Sequence, residues 1–351
     1  MTIKVFTAFS GYDSQCMALD RLHEHNPHFN YELVGWAEID KYAIQAHNAV
    51  YPQWADRNYG DISRIDWQQV PDFDLFTYSS PCQDFSQAGK QAGGTEGSGT
   101  RSSLLWECRR AILAKKPKYL LMENVAALVS QKFIRLFNAW QLELESYGYR
   151  NFAKVLNAKD YGVPQNRERI FMVSILDESA RYEFPQPMPL TLRLKDKLDN
   201  VGRLIGVSES IWRKIEWRTN PDSMIHADVS GCIRAVDYKI PKMVWEWCDE
   251  NEQMSAESEK IVASFLKMVK NGELKMPKIL EGRRFKIRLQ EPNESFRLMD
   301  VPEAYIDRIQ QAGISRSQQY KMAGNSIVVS CMYHIWRRLW IDTHITTLTL
   351  F

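Results

Sequence analysis

The sequence predicts an α/β fold: a Rossmann-like, doubly wound and mostly parallel sheet with a smaller second domain. Strand and helix patterns alternate from the first residues to about Leu176, as they do in doubly wound sheets. Three prolines within residues 183–189 then break this alternation. From there to about Phe285 the chain carries several tryptophans among basic residues and no recognisable motif. A length of 351 residues is enough for two domains.

The amino terminus has the pattern of a strand, a tight turn and a helix. Residues 4–9 are predicted as the strand, residues 10–14 as the turn and residues 15–25 as the helix. A strand and glycine turn that lead into a helix commonly hold a nucleoside-bearing cofactor. A second strand at 31–37 ends at Glu38, and an acidic residue at such a strand tip can accept hydrogen bonds from ribose hydroxyls.

Cys82 follows a third predicted strand, at residues 74–78. The carboxyl ends of strands in open α/β sheets face the ligand cleft, so this position suits a nucleophile. A cysteine reacts as the thiolate, which favours an exposed and electropositive site. Taken alone, a free cysteine is more often a small buried hydrophobic residue. The five glycines within residues 84–103 suit either a lid over the site or a disordered surface loop.

Two later segments place polar side chains beside predicted strands. A buried strand at 119–125 contains Glu123, which must either be held by partners or take part in proton chemistry, because glutamate is rarely buried unpaired. Arg167 and Arg169 precede a strand that is predicted to begin at Ile170. Alternation along a strand puts both guanidinium groups on one face, where they can hold a carboxylate, a carbonyl or a phosphate. The alternative is a surface salt-bridge cluster.

These segments, in this order, resemble the cytosine-C5 DNA methyltransferase family. The resemblance is carried by Pro81-Cys82-Gln83, Glu123-Asn124-Val125 and the run from Gln165 to Arg169. Further matches extend it towards both ends of the chain: Phe9-Ser10-Gly11, Glu38-Ile39-Asp40, Gly60-Asp61-Ile62, residues 288–294 and residues 323–327. Residues from about 177 to 285 lie outside it. The joint match in order is far more specific than any single piece.

The resemblance implies a sequence-specific DNA (cytosine-5-)-methyltransferase with four catalytic-site residues. Cys82 would add to C6 of the target cytosine, after the base has swung out of the duplex into the pocket. Glu123 would contact N3 and the exocyclic amine, and Arg169 would hold O2. Arg167 would support the loop or a neighbouring phosphate. A side chain or a water would then remove the C5 proton.

The resemblance also implies S-adenosyl-L-methionine as the methyl donor. The residues that it assigns to the donor site are Phe9, Gly11, Glu38, Ile39, Asp61, Ile62, Pro81, Leu104, Asn325 and Ser326. Ile39 would pack on the adenine face, and Asp61 would meet the exocyclic amine. The chain departs from the family's usual residues at three places: residues 12–14 where glycines are common, Ile39 in place of an aromatic, and Met322 in place of a glutamine.

The predicted domains follow from these assignments. Residues 1–182 form the catalytic and donor-binding domain, residues 183–287 the target-recognition domain, and residues 288–351 a return that completes the first domain. A helix at 326–340 is expected to pack back on that domain. Tryptophans occur at 212, 217, 245 and 247, and for such residues packing in the core is a more common role than stacking on bases.

Double-stranded DNA is the predicted partner, and a monomer the expected state. With 45 basic and 43 acidic residues the net charge is only +2, so DNA contacts have to come from local patches. One candidate patch lies at 278–288, with Arg283, Arg284, Lys286 and Arg288; a solvated basic edge is the alternative. A cognate restriction endonuclease that acts separately is a further partner that the resemblance allows.

Cysteine usage and hydropathy indicate the compartment. The six cysteines are too scattered for a CxxC metal site or a disulfide framework, so no metal and a reducing cytoplasm are expected. No signal-peptide pattern is present at the first residues, and the longest apolar stretch, 119–129, is short and broken by Glu123. No membrane association is therefore expected.

Three rival functions remain to be weighed. An RNA cytosine-C5 methyltransferase would share the cleft residues, although the long recognition segment favours DNA. An amino-group methyltransferase acting on adenine N6 or cytosine N4 would have an acidic or polar residue, two prolines and an aromatic, whereas residues 80–83 of this chain, Ser-Pro-Cys-Gln, contain a thiol instead. A catalytically inactive DNA-binding relative is disfavoured because Cys82, Glu123 and Arg169 are all present. The recognised DNA sequence is not predicted, because the recognition segment has no transferable motif.

Overall fold

A six-stranded sheet forms the centre of the protein. The computed structural model describes residues 2–81, 104–199, 229–238, 242–248, 251, 253–276 and 280–342. The strands in these residues are β1 (Thr2–Ala8), β2 (Asn30–Ala37), β3 (Leu75–Tyr78), β4 (Tyr119–Val125), β5 (Arg150–Asn157), β6 (Gln165–Asn166), β7 (Glu168–Ile175), β8 (Ser230–Gly231), β9 (Met243–Trp247) and β10 (Phe285–Leu289).

Helices flank the central sheet, and one further helix packs in a second, smaller hydrophobic core. The α-helices described are α1 (Ser14–His25), α2 (Lys41–Val50), α3 (Cys108–Lys115), α4 (Ile134–Ser146), α5 (Ala256–Lys270), α6 (Pro292–Arg297), α7 (Glu303–Gln311), α8 (Arg316–Asn325) and α9 (Val329–Arg337). Short 3-10 helices include Ile62–Arg64 and Ala235–Tyr238, and one π-helical turn follows α9 at Arg338–Asp342. In the parts of the chain described here, no helix has the length and apolarity that crossing a membrane requires.

The central sheet runs in the order β2-β1-β3-β4-β7-β5. Strands β2, β1, β3 and β4 are parallel neighbours, whereas β7 is antiparallel to both β4 and β5. The α/β class and the mostly parallel sheet predicted from the sequence are thereby confirmed. Because β1 to β4 are parallel, their carboxyl ends meet at one edge of the sheet, where open α/β sheets bind ligands.

Side-chain alternation gives the sheet a hydrophobic core on each face. Val5 in β1 belongs to the core that includes helices α1 and α9, whereas the next residue, Phe6, belongs to the core that includes α3 and α4. Strands in a sheet that is buried on both faces have near-continuous apolar runs, and these runs identify them in the sequence. Helix α9 lies against α1, with Tyr333 Oη 2.9 Å from Nδ1 of His25.

Most predicted elements agree with the structure to within two residues. The strand predicted at 119–125 is β4 without a change of bounds. The strand predicted to begin at Ile170 begins at Glu168, so Arg169 lies inside β7 rather than before it. The helix predicted at 326–340 is shorter: α9 begins at Val329, and the backbone changes to the π-helical turn after Arg337.

A separate, smaller core lies in the segment between the two parts of the central fold. Trp245 packs edge-on against Phe265, with ring centroids 4.9 Å apart, and Phe285 lies beside both. Trp245 is therefore a core residue. Trp247 is partly exposed and has the Arg283 guanidinium over its ring at 4.6 Å. Trp212 and Trp217 lie outside the described residues.

Arg288 corrects the prediction of a basic DNA-contacting patch. Its side chain is 2% exposed and forms two hydrogen bonds with the Glu294 carboxylate, at 2.8 and 2.9 Å. A second carboxylate, Glu246, lies 3.1 Å away. These ion pairs raise the pKa of Arg288 against the opposing effect of burial. Arg288 is therefore a buried structural residue, whereas Arg283 and Arg284 are exposed.

Candidate active site

A cavity of about 550 Å³ opens where the carboxyl ends of β1 to β4 meet. It is lined by all the predicted site residues that the structure describes: Phe9, Gly11, Glu38, Ile39, Asp61, Ile62, Pro81, Leu104, Glu123, Arg167, Arg169, Asn325 and Ser326. Cys82 follows Pro81 in the chain and lies outside the described residues, as does the predicted lid at 84–103. The cavity size is typical of a small-molecule or cofactor site.

The turn after β1 adopts an unusual backbone conformation. Phe9, Gly11 and Asp13 all have positive φ angles, of 55°, 60° and 67°. Glycine adopts this region without strain, but a residue with a side chain pays roughly 1–3 kcal/mol. Asp13 offsets part of this cost because its carboxylate accepts hydrogen bonds from Cys16 N, at 3.2 Å, and Thr7 Oγ1, at 2.9 Å. An aspartate can thus stand where a glycine is common in the family.

Glu38 is held at the tip of β2 by three backbone N–H groups. Its Oε2 accepts from Gly11 N at 3.0 Å, and its Oε1 accepts from the N–H groups of Ile39 and Asp40 at 2.8 Å each. Oε2 accepts one hydrogen bond and so retains a further lone pair for a ligand hydroxyl. The next side chain, Ile39, is 71% exposed at the cavity and offers an apolar surface there.

Asp61 presents a second carboxylate to the same region. It caps the 3-10 helix Ile62–Arg64, and its Oδ1 accepts hydrogen bonds from the hydroxyl and backbone N–H of Ser63. These hydrogen bonds lower the pKa of Asp61. The ionised carboxylate is therefore an acceptor suited to an amino group. Ile62 is buried beneath it.

Glu123 and Arg169 form an ion pair at the opposite part of the cavity. Arg169 Nε lies 3.2 Å from Glu123 Oε1, and Ser79 donates its hydroxyl proton to Oε2 at 2.5 Å. Glu123 is 5% exposed. Each of its oxygens therefore has one fixed partner, which sets the plane of the carboxylate while its remaining lone pairs face the cavity.

Arg167 is buried and holds backbone groups from two other segments. It donates to the carbonyl of Ile233 at 2.6 Å and to the carbonyls of Gly324 and Ser326 at 3.1 and 2.7 Å. Burial lowers its pKa, although Cys232 and Glu123 act in the opposite direction. Arg167 therefore supports the cavity wall through its hydrogen bonds, whereas Arg169 is partly exposed beside Glu123.

The segment that begins at residue 229 is joined closely to the catalytic side. Strand β8 pairs with β6, and Gln165 accepts a hydrogen bond from Ile233 N at 2.8 Å. A Cβ atom on Gly324 would lie 2.1 Å from both Ala235 N and the Arg234 carbonyl carbon. Only glycine therefore permits this approach of helix α8 to the segment.

Cys232 lies at the edge of the arginine pair. Its Sγ is 3.5 Å from Nη1 of Arg167 and 4.0 Å from Nη2 of Arg169. Burial by itself would raise the pKa of this thiol, but the positive charges of the two arginines and Lys242 outweigh it and lower the pKa. Both arginines thus reach one sulfur, as expected for side chains on one face.

Sequence reasoning misses several residues that shape the cavity. Lys321 donates to Asp40 Oδ2 at 2.7 Å across the cavity mouth, and Tyr12 donates to Ser326 Oγ. Both pairs join the two ends of the chain, and no local pattern signals them. Ser79 follows β3 directly and stands two residues before Pro81, and this position is the signal available for it.

The cavity can hold a nucleoside-bearing methyl donor. It offers the exposed Ile39 face for a flat ring and the Glu38 and Asp61 carboxylates for hydroxyl and amino groups. Ser10 Oγ is buried, lines the same cavity and has no hydrogen-bond partner among the described residues, so it leaves a polar group for a ligand. In the described ranges, no three His, Cys, Asp or Glu side chains are grouped to hold a metal ion.

The chain is similar to methyltransferases over nearly its whole length. The family model of C-5 cytosine-specific DNA methylases matches residues 3–340. The Type II methyltransferase M2.ScrFI of Lactococcus lactis subsp. cremoris is 33% identical over 96% of this chain and 99% of that protein. The orphan methyltransferase M.SssI of Spiroplasma monobiae is 38% identical over 51% of this chain and 49% of that protein.

Solved methyltransferase structures share the fold at lower identity. The Dnmt2 methyltransferase of S. pombe has a TM-score of 0.69 at 18% identity, covering 97% of this chain and 99% of that one. The Entamoeba histolytica methyltransferase EhMeth has a TM-score of 0.70 at 17% identity, covering 98% and 99%. At these identities the likeness supports the fold alone.

Proposed function

Because the chain belongs to the C-5 cytosine-specific DNA methylases, it is a sequence-specific DNA (cytosine-5-)-methyltransferase, and we propose that it acts through a covalent bond from Cys82 to the target base. The observation that carries this proposal is the position of Glu123. It is held by Ser79 and Arg169 in the same cavity as the donor-site residues, beside the strand end that leads into Cys82.

Cys82 supplies the electrons that C5 of cytosine lacks. C5 is a poor nucleophile, so addition of the Cys82 thiolate to C6 is needed to place electron density on C5. The new S–C6 bond forms as the C5–C6 double bond opens. After the methyl group has been added to C5, a base removes the C5 proton, the double bond returns and the thiolate leaves. Arg167 and Arg169 line the same cavity as Pro81, and their positive charges would favour a thiolate at Cys82.

Glu123 and Arg169 stabilise the base while it reacts. In this proposal Glu123 contacts N3 and the exocyclic amine, and Arg169 holds O2, so the Watson–Crick edge of the ring is fixed. Charge develops on the ring when Cys82 adds, and fixed donors and charges in a water-poor cavity stabilise it without reorganisation. Arg167 acts indirectly, because its three hydrogen bonds to backbone carbonyls hold the cavity wall in place.

The donor site is proposed for S-adenosyl-L-methionine, which supplies an electrophilic methyl group when bound. Glu38 would accept from the ribose hydroxyls, Ile39 would pack on the adenine face, and Asp61 would accept from the exocyclic amine. Phe9, Gly11, Ile62, Pro81, Leu104, Asn325 and Ser326 would complete this site.

Methylation of duplex DNA requires the target cytosine to leave the stack, because C6 is inaccessible within it. We propose residues 183–287 as the target-recognition domain and residues 84–103 as the lid. The small core around Trp245 and the exposed Arg283 and Arg284 support this assignment, since guanidinium groups suit phosphate contacts. A monomeric enzyme and a separate restriction endonuclease partner stay predictions.

Base-resolution sequencing of 5-methylcytosine tests the proposed function. A random-sequence DNA library is treated with the purified protein and S-adenosylmethionine, in parallel with Cys82→Ser. Methylation at one short motif by the wild type, and none by Cys82→Ser, is the expected result. Methylation that persists in Cys82→Ser would overturn the nucleophile assignment, and methylation of RNA but not DNA would overturn the substrate.

A further inference from the structure

A hydrogen bond joins the two ends of the chain inside the donor cavity. The Tyr12 hydroxyl donates to Ser326 Oγ at 2.5 Å, and both residues line the cavity. Tyr12 lies in the turn after β1, one residue beyond Gly11, whereas Ser326 follows helix α8. This contact therefore connects the first donor-binding turn to the segment that returns from the other end of the chain.

The Tyr12 side chain is fixed in this position. It is 1% exposed, and its ring packs edge-on against Phe296 with centroids 5.4 Å apart and planes at 80°. Burial raises the pKa of its hydroxyl, so the proton is retained over the physiological range. A protonated phenol donates one hydrogen bond, and among the described residues the acceptor of that bond is Ser326 Oγ.

Ser326 is fixed from its main chain as well. Its carbonyl oxygen accepts from Arg167 Nη2 at 2.7 Å, and the same nitrogen also donates to the Gly324 carbonyl. The direction of the Ser326 O–H bond is then the one feature of this side chain that these contacts do not fix. Because Oγ already accepts from Tyr12, its own O–H points elsewhere, and no described residue accepts it.

We propose that Tyr12 is a positioning residue of the donor site, which orients the Ser326 hydroxyl as a hydrogen-bond donor to the carboxylate of the methyl donor's amino-acid portion. The inference rests on the proposed donor site. A free O–H fits a carboxylate, which only accepts, and does not fit the ammonium group, which only donates. The positive charge of Arg167, which donates to the Ser326 carbonyl, also favours an anion beside this hydroxyl.

Two ligands separate this role from a general structural one. S-adenosylhomocysteine carries the amino-acid portion, whereas 5′-methylthioadenosine has the same nucleoside and sulfur without it. For Tyr12→Phe we expect the affinity for S-adenosylhomocysteine to fall about five- to tenfold, as for loss of one hydrogen bond of about 1 kcal/mol. The affinity for methylthioadenosine should stay unchanged. In steady-state assays the donor KM should rise by a similar factor with kcat little changed.

Tyr305→Phe is the matched control. It also removes a tyrosine hydroxyl that donates a hydrogen bond, from Tyr305 to Asp20 at 2.8 Å, but this group lies outside the cavity lining. It should alter neither ligand affinity. Ser326→Ala tests the same pair from its other end, and it should lose the preference for S-adenosylhomocysteine to a similar extent.

Each of the other outcomes contradicts a specific part of this inference. If Tyr12→Phe weakens both ligands equally, Tyr12 acts through packing, and the inference is wrong. If Tyr12→Phe or Ser326→Ala binds both ligands as the wild type does, the oriented hydroxyl has no role. If the wild-type protein binds neither ligand and transfers no methyl group, the proposed donor site itself fails.

Discussion

Glu123 and Arg169 face each other across the only antiparallel step between β4 and its neighbours in the described sheet, with Arg169 Nε 3.2 Å from Glu123 Oε1. In the register, Val125 lies opposite Arg169 and Glu123 opposite Phe171, so the pair is a diagonal one. The antiparallel direction of β7 brings the start of this strand, and with it Arg169, to the carboxyl end of β4. This arrangement places a carboxylate and a guanidinium side by side where a base can meet both.

Replacing Glu123 with glutamine should slow single-turnover methylation about a hundred- to a thousandfold, because the developing charge on the ring loses its stabilising partner. Rapid-quench measurement with pre-bound DNA and donor reports this step directly. Glu178→Gln is the control, because Glu178 is exposed and lies outside the cavity lining. A normal single-turnover rate for Glu123→Gln would remove Glu123 from the mechanism.

Enlarging the apolar side chain at Ile39 should strengthen donor binding. Ile39 is 71% exposed at the cavity, and a phenylalanine there could stack on the adenine, which adds roughly 0.5–1.5 kcal/mol. We expect Ile39→Phe to lower the donor KM by about two- to tenfold. Leu142→Phe, at a position on α4 that is 65% exposed, should leave the donor KM unchanged. A KM that stays the same or rises in Ile39→Phe would argue against adenine stacking at this side chain.

Adding a single methyl group at Gly324 should be severely destabilising. The new Cβ would lie 2.1 Å from backbone atoms of residues 234 and 235, and backbone cannot move aside as a flexible side chain can. We expect Gly324→Ala to lower the free energy of unfolding by about 3 kcal/mol or more and to reduce methylation strongly. Chemical denaturation with an activity assay measures both.

Gly231→Ala is the matched control for that substitution. Its Cβ would meet only the Lys242 Nζ at 3.2 Å, at the end of a flexible side chain. It should cost less than about 1 kcal/mol. Similar losses in both alanine variants would show that the close approach at Gly324 is not what makes it sensitive.

Much of the fold could be predicted from local patterns, because buried parallel strands leave continuous apolar runs. The strand β4 was predicted without error since its run is bounded by a lysine and a 3-10 turn. The start of β7 was not, because Glu168 and Arg169 are polar residues inside a strand, and their partners lie on β4 and β5. Strand direction also depends on those partners rather than on the local pattern.

The candidate site was predicted as a set of residues, but its internal contacts were not. Residues as distant as Gly11 and Ser326 line one cavity, as the family resemblance implies. Arg288 appeared to be a DNA contact in the sequence, since its carboxylate partner Glu246 lies on another strand. The Tyr12 contact with Ser326 likewise depends on the three-dimensional return of the chain.

Stability should fall in mild acid because of His334. Burial, together with the charges of Arg337 and Arg21, lowers the pKa of His334 from 6.5 to about 4. In the unfolded chain His334 is therefore protonated below about pH 6.5, whereas in the folded protein it is protonated only below about pH 4. The free energy of unfolding therefore decreases as the pH falls between these values. The loss is on the order of 2 kcal/mol after solvent screening.

Denaturation midpoints measured from pH 7 to pH 4 test this dependence. His334→Gln should have a flatter profile than the wild type over this range, whereas His28→Gln, at an exposed histidine, should follow the wild type. An unchanged slope in His334→Gln would assign the acid sensitivity to other groups.

Covalent trapping tests the central claim most directly. DNA that carries 5-fluorocytosine at the methylated position is incubated with the protein and S-adenosylmethionine, and the adduct is mapped by mass spectrometry. Fluorine cannot leave C5 as a proton does, so the S–C6 bond persists once methyl transfer has occurred. We predict a denaturant-stable DNA adduct on the peptide that contains Cys82, and none with Cys82→Ser. Efficient methylation of ordinary cytosine without any trapped adduct, or an adduct on another residue, would contradict the account.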